Sequence, residues 1–213
     1  MKLGVFDSGI GGEAVAAALY TTFPDASIVT VNDRANVPYG NKSKEEVISL
    51  TDAAIQPLLI DSDVIILACN TATALAIESL RARYPYQKFI GIEPMIKTAA
   101  SLTAARTIAV CATPATLRSE RYHGLIDKYG SSLKIIEPDC STWANMIENN
   151  DINHQIIKAT IQKVCEDGAD VIVLGCTHYH WIKDTIIEYA NGRAVVIEPS
   201  EAIGRRVRVL LEQ

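Results

Sequence analysis

Asp63–Cys69 reads DVIILAC and Asp170–Cys176 reads DVIVLGC, and the two stretches agree at five of seven positions. Each is a strand-sized run of β-branched and aliphatic residues that passes through a cysteine into a polar loop and then into a helical pattern. An uninterrupted apolar strand followed by a helix is the unit of a parallel sheet covered on both faces. Its recurrence predicts two related α/β lobes in one chain.

Further runs of the same kind lie on either side. LGVF (Leu3 to Phe6), SIVTV (Ser27 to Val31), VIILA (Val64 to Ala68), KFIGI (Lys88 to Ile92), TIAVC (Thr107 to Cys111), LKIIE (Leu133 to Glu137), VIVLG (Val171 to Gly175) and AVVIE (Ala194 to Glu198) are candidate strands. Helical periodicity marks Glu13–Thr22, Lys44–Leu59, Thr73–Tyr84, Thr116–Lys128, Asn153–Asp167, Trp181–Ala190 and Glu201–Glu212. Eight strands alternating with helices make an α/β fold with mostly parallel sheets. A weaker echo relates Val5–Val15 to Val110–Ser119, and Ile-Glu-Pro recurs at Ile92, Ile136 and Ile197. No Pro/Gly/Ser-rich linker marks a boundary.

A chain of 213 residues holds one sizeable core or two small ones. With 48% hydrophobic and 21% charged residues it is neither disordered nor membrane-like in composition. The formal charge of -5, without blocks of Lys and Arg, excludes a nucleic-acid footprint and leaves any anionic ligand to local recognition. No apolar run approaches the roughly 20 residues of a membrane helix, and the start, MKLGVFDSG, lacks a signal region, so a cytoplasmic protein is expected. The five cysteines have no CxxC spacing, and in a reducing cytosol they are free thiols.

Ligands of open α/β sheets bind outside the carboxyl ends of the strands. Four segments with polar or reactive residues arrive there: FDSGIGG (Phe6 to Gly12), ACNTAT (Ala68 to Thr73), ATPAT (Ala112 to Thr116) and GCTHY (Gly175 to Tyr179). GIGG is not the GxGxxG dinucleotide fingerprint, so no nicotinamide or flavin is expected. The bland alternative for Asp7 and Ser8 is a helix cap. Cys69 and Cys176 each fall between a strand and a helix, where the helix dipole and open amides are expected to lower a thiol pKa. Cys111, Cys140 and Cys165 lack that setting and read as packing thiols. Cys69 and Cys176 with His178 and His180 are a conceivable zinc set, since zinc takes at least three protein ligands, but the expectation is no metal. A single-thiol hydrolase leaves the second equivalent cysteine unexplained. Two thiols acting as acid and base on opposite faces of one carbon explain both.

These residues resemble the glutamate racemases of the aspartate/glutamate racemase superfamily. FDSGIGG, VPYG (Val37 to Gly40), ACNTATA (Ala68 to Ala74), GIEP (Gly91 to Pro94), the Thr-x-x-Thr of ATPAT and GCTHY stand in that family's order and span nearly the whole chain. The resemblance implies two pseudo-symmetric lobes, residues 1–95 plus 192–213 and residues 96–191, with the active site in the cleft between them. It implies racemisation without pyridoxal phosphate, metal or redox cofactor, supply of D-glutamate to peptidoglycan precursors, and a homodimer. By position, Cys69 exchanges the Cα proton of the D-enantiomer and Cys176 that of the L-enantiomer, with Asp7 and His178 as auxiliaries. Ser8, Tyr39, Gly40, Asn70, Thr71, Thr113, Thr116 and Thr177 hold the substrate. Glu148 matches a family glutamate near the site, helix-surface solvation being the alternative. The chain departs from the family in its shorter length, in Asn32–Asn36 and in His180, where proline is common. Arg34, Asn36 and His180 therefore leave aspartate, or acidic amino acids in general, open as substrates. A non-catalytic binding protein is a rival from another class, against which the two retained thiols speak.

Overall fold

The computed structural model describes residues 1–211. The chain divides into two compact units, one formed by residues 1–93 with the chain from Pro199 onward, the other by Pro94–Glu198. In the first unit β1 (Lys2–Asp7), β2 (Ser27–Asn32), β3 (Val64–Leu67) and β4 (Lys88–Gly91) form a parallel sheet of order β2-β1-β3-β4. Its helices are α1 (Gly12–Thr22), α2 (Lys44–Ala54), α3 (Gln56–Leu59), α4 (Asn70–Arg83) and the chain's last, α11 (Ser200–Leu211).

Alternation along the central strands sends side chains to both faces. Phe6, Ile65 and Leu67 pack with Val47, Leu58, Ile77 and Leu80, while Leu3, Val5, Val64 and Ile66 pack with Val15, Leu19, Ile203 and Val207. Every one of these is buried, and each such side chain contributes about 1.5–3 kcal/mol. That is why β3 reads as an unbroken apolar run.

The second unit repeats the topology. β5 (Thr107–Ala112), β6 (Lys134–Ile136), β7 (Val171–Gly175) and β8 (Val195–Ile197) form a parallel sheet of order β6-β5-β7-β8. Around it lie α5 (Ile96–Leu102), α6 (Pro114–Leu117), α7 (Glu120–Leu125) with a following π-helical turn (Ile126–Gly130), α8 (Trp143–Glu148), α9 (His154–Glu166) and α10 (Lys183–Ala190). A 3-10 helix, Thr177–Ile182, leads into α10.

All eight expected strands form, and the α/β class stands. The aspartate that opens each echoed stretch has a structural duty in both units. Asp63 accepts the Lys2 N–H at 2.7 Å, and Asp170 accepts those of Ala104 and Ala105, both at 2.7 Å. Ile-Glu-Pro stands at the carboxyl ends of β4, β6 and β8, which are all edge strands, where a proline ends the ladder without costing a bond.

Several expectations are corrected. β8 pairs with β7, so residues 192–198, expected in the first lobe, belong to the second unit, which the chain leaves at Glu198. The helix expected over Lys44–Leu59 breaks at Ile55, just ahead of Pro57, into α2 and α3. The one expected over Thr116–Lys128 is divided because Ser119 accepts the Tyr122 N–H at 3.1 Å and caps a new helix. α4 begins at Asn70 rather than Thr73. The last residue of the expected final helix, Glu212, lies outside the described residues. Among the described residues no helix is long and apolar enough to cross a membrane.

The close approach of β4 to α4 depends on Gly91. A Cβ there would sit 2.4 Å from Thr73 Cγ2 and 2.6 Å from Ile77 Cδ1. Gly91→Ala should therefore destabilise the protein by about 1–3 kcal/mol through overpacking, read as a drop in Tm of about 2–4 °C per kcal/mol. An unchanged melting curve would show that α4 gives way freely.

Candidate active site

In each sheet the strand order reverses beside the first strand, between β1 and β3 and between β5 and β7. Loops leaving the carboxyl ends of two such strands diverge to opposite faces and open a crevice. Phe6 is level with Leu67, and Cys111 with Leu174. Asp7 is thus the counterpart of Ala112, Ser8 of Thr113 and Cys69 of Cys176. The echo visible in the sequence is a true structural equivalence, and it places one thiol at each switch point.

In the first unit Cys69 stands at the N-cap of α4, its Sγ accepting the Ala72 N–H at 3.4 Å. Ser8 Oγ lies 3.3 Å from the same sulfur. Asp7 is fully buried and accepts the Gly9 N–H at 3.0 Å, while α1 has no side-chain cap, so the capping alternative for Asp7 and Ser8 falls. The expectation of an acidified thiol is corrected. Burial, and next the nearby Asp7 carboxylate, push Cys69 up to about 11, against the opposing bonds from Ser8, Ala72 and Thr71. Desolvation outweighs the helix terminus, and at rest Cys69 is a neutral thiol.

Tyr39 and Gly40 are buried close by in sequence order, and the Tyr39 hydroxyl donates to Asp33 at 2.7 Å. Burial first, then this bond, raise the phenol well above its ordinary range. Asn36 also donates to Asp33, at 2.9 and 3.1 Å, so Asn36 serves this loop, and Arg34 is exposed. Asp33 was not singled out in the sequence, and its only signal there was a carboxylate six residues ahead of the tyrosine of PYG. Thr71 is buried, and both polar atoms of the buried Asn70 carboxamide have no protein hydrogen-bond partner.

In the second unit Cys176 precedes a 3-10 helix, not the α-helix expected there. Its Sγ lies 3.7 Å from His178 Nδ1, and His178 Nε2 lies 2.9 Å from Glu148 Oε2. Both side chains of that pair are more than nine-tenths buried, which overturns a solvated helix-surface role for Glu148. A carboxylate accepts only, so it draws the Nε2 proton and leaves the Nδ1 lone pair toward the sulfur. The hydroxyls of Thr113 and Thr116 lie 3.0 Å apart, and Thr177 is buried. Cys111 and Cys140 are core residues; Cys140 is pushed upward by burial and by its bond to Cys111. His180 bonds to Glu198. Among the described residues no group of three or more His, Cys, Asp or Glu is arranged to hold a metal ion.

A thiol with an acid/base neighbour at the switch point of each unit is the equipment of an enzyme that moves protons. The model of the Asp/Glu/hydantoin racemase family matches residues 12–205, and the chain belongs to that family. A glutamate racemase of Sulfurovum sp. (strain NBC37-1) is 37% identical to it over 222 residues, covering 100% of this chain and 83% of that protein. The structure of Escherichia coli glutamate racemase in complex with L-glutamate and the activator UDP-MurNAc-Ala matches with a TM-score of 0.90 at 26% identity, over 100% of this chain and 82% of that one. Francisella tularensis glutamate racemase in complex with D-glutamate matches at 0.83 and 29%, over 99% and 80%.

Proposed function

We propose that the chain is a cytoplasmic, cofactor-independent glutamate racemase that supplies D-glutamate for peptidoglycan precursors. The observation that carries this is the pairing of each switch-point thiol with a different acid/base partner, Cys69 with Asp7 and Ser8, Cys176 with His178 and Glu148. Inverting a carbon requires a base on one face and an acid on the other. In the L-to-D direction Cys176 passes its proton toward His178 Nδ1, removes the Cα proton as a thiolate, and Cys69, neutral at rest, protonates the opposite face. The return direction exchanges the roles, with Asp7 drawing the proton from Cys69. Glutamate, rather than another acidic amino acid, is supported by a likeness to glutamate racemases that runs over 98–100% of this chain.

Substrate recognition falls to neutral donors: Ser8, Tyr39, Asn70, Thr71, Thr113, Thr116, Thr177 and the backbone at Gly40. The Asn70 carboxamide supports this, because a buried amide without partners costs about 1–3 kcal/mol unless a polar ligand completes it.

The test is incubation of the purified protein with L-Glu, D-Glu, L-Asp and D-Asp separately in deuterium oxide. Both glutamate enantiomers should converge on the racemate with deuterium at Cα. Turnover of aspartate alone would make the substrate assignment wrong, and absence of Cα exchange would remove the mechanism.

A further inference from the structure

His180 Nε2 lies 3.4 Å from Glu198 Oε2, and Lys183 Nζ lies 3.2 Å from Glu198 Oε1. The His180 and Glu198 side chains are about nine-tenths buried, and neither enters the proton-transfer scheme above. They bear on the segment that carries it. Thr177–Ile182 is a 3-10 helix of six residues, and runs beyond three or four are uncommon because the bond geometry is poor. At three residues per turn, successive side chains leave the axis about 120° apart. His178, Tyr179 and His180 therefore point in three directions, and each meets a different anchor. His178 is held by Glu148 of α8; the Tyr179 hydroxyl donates to the Cys140 carbonyl at 3.1 Å, with Trp143 edge-on at 5.3 Å; His180 is held by Glu198 at the exit of β8. Two anchors leave the segment free to roll about the line joining them, and the third fixes the roll.

We propose that His180, through its bond to Glu198, is a positioning residue for the Cys176–His178 pair. This rests on the proposed function, in which Cys176 exchanges the proton of L-glutamate. Loss of the His180 anchor lets the turn roll and lengthens the 3.7 Å path from Cys176 Sγ to His178 Nδ1, and displacements on the order of 1 Å are expensive in proton transfer. Only the Cys176 step is affected, since Cys69 belongs to the other unit.

The experiment measures kcat/KM with glutamate deuterated at Cα, in each enantiomer, for the wild type, His180→Ala, His180→Gln, Glu198→Ala and the double variant His180→Ala/Glu198→Ala. His180→Ala should lower kcat/KM about tenfold. The isotope effect should rise with deuterated L-glutamate, because the Cys176 step becomes more limiting, and fall with deuterated D-glutamate. His180→Gln, whose amide can still donate to Glu198, should keep both isotope effects near wild type. The double variant should lose no more than the worse single one, as expected for residues acting through one bond. A general loss of folded protein lowers both rates and moves neither isotope effect. If His180→Ala does not fold, Glu198→Ala carries the same measurement. Isotope effects unmoved in the folded variants, or moved alike for both enantiomers, overturn the positioning role. A wild type that does not racemise glutamate overturns the proposed function, and this role with it.

Discussion

Cys69→Ala and Cys176→Ala should each lower glutamate racemisation by at least about 10³-fold, the upper part of the range for loss of a positioned proton donor or acceptor. The two variants should nevertheless differ in what they retain. With Cys176 replaced, Cys69 and Asp7 are intact, so D-glutamate can lose its Cα proton and regain a solvent proton on the same face. With Cys69 replaced, the Cys176–His178–Glu148 array keeps the corresponding exchange for L-glutamate. Mass spectrometry in deuterium oxide would show one enantiomer exchanging in each variant and neither racemising. The double variant should be little worse than either single one, since both groups serve one reaction. Stability should change modestly. Cys69→Ala also loses the sulfur cap on Ala72 N–H, worth about 1 kcal/mol. Racemisation within tenfold of wild type in either variant would end the two-thiol reading.

How much of this was legible in the sequence depends on the distance over which each feature is determined. The strands were legible because β3, β5 and β7 are buried on both faces and declare themselves as unbroken apolar runs. Short helices were not: α5 and α8, of seven and six residues, are shorter than the window in which a 3.6-residue period emerges. The start of α4 is hidden in the sequence because Asn70 and Thr71 carry no apolar periodicity and the cap is a sulfur. The return of the chain to the first unit, at Pro199 and not at residue 192, is not legible either, since nothing in AVVIE distinguishes an edge strand of one sheet from that of another.

The same division holds at the candidate site. Asp7, Ser8 and Cys69, and Cys176 with His178, sit within short motifs next to strand ends, so local reading finds them. Glu148 reaches His178 across 30 residues, and Asp33 reaches Tyr39 from a different loop segment. The first pairing is tertiary and the second depends on the path of an irregular loop, and a lone sequence marks either only weakly. Electrostatics was the least legible. A helix N-terminus can be read from sequence and argues for a lowered thiol pKa, whereas the burial and the carboxylate that raise Cys69 are consequences of the folded unit.

That raised thiol gives the second large effect. At about 11, Cys69 is ionised to only about one part in 10⁴ at pH 7, so it can act as a base on D-glutamate only if a neighbour draws its proton in the same event. Asp7 is the carboxylate whose charge is felt at that sulfur. Its counterpart in the second unit is Ala112, and there the proposed relay runs instead through His178, which is paired with Glu148. Asp7→Asn keeps the size and leaves an amide oxygen for the Gly9 N–H, while removing the charge. Turnover should fall about 10²-fold, yet Cys69 should become more acidic, because one of the two causes that raise it is gone. Iodoacetamide labelling of Cys69 at a fixed pH between 8 and 9 should therefore be faster in Asp7→Asn than in the wild type, by about three- to fourfold for each unit the pKa drops, because the larger thiolate fraction is partly offset by a less nucleophilic sulfur. A purely structural Asp7 predicts a lower melting temperature with turnover falling in step and labelling governed by unfolding. Slower catalysis combined with a more reactive thiol, at unchanged stability, is the outcome that only a proton-relay role for Asp7 produces.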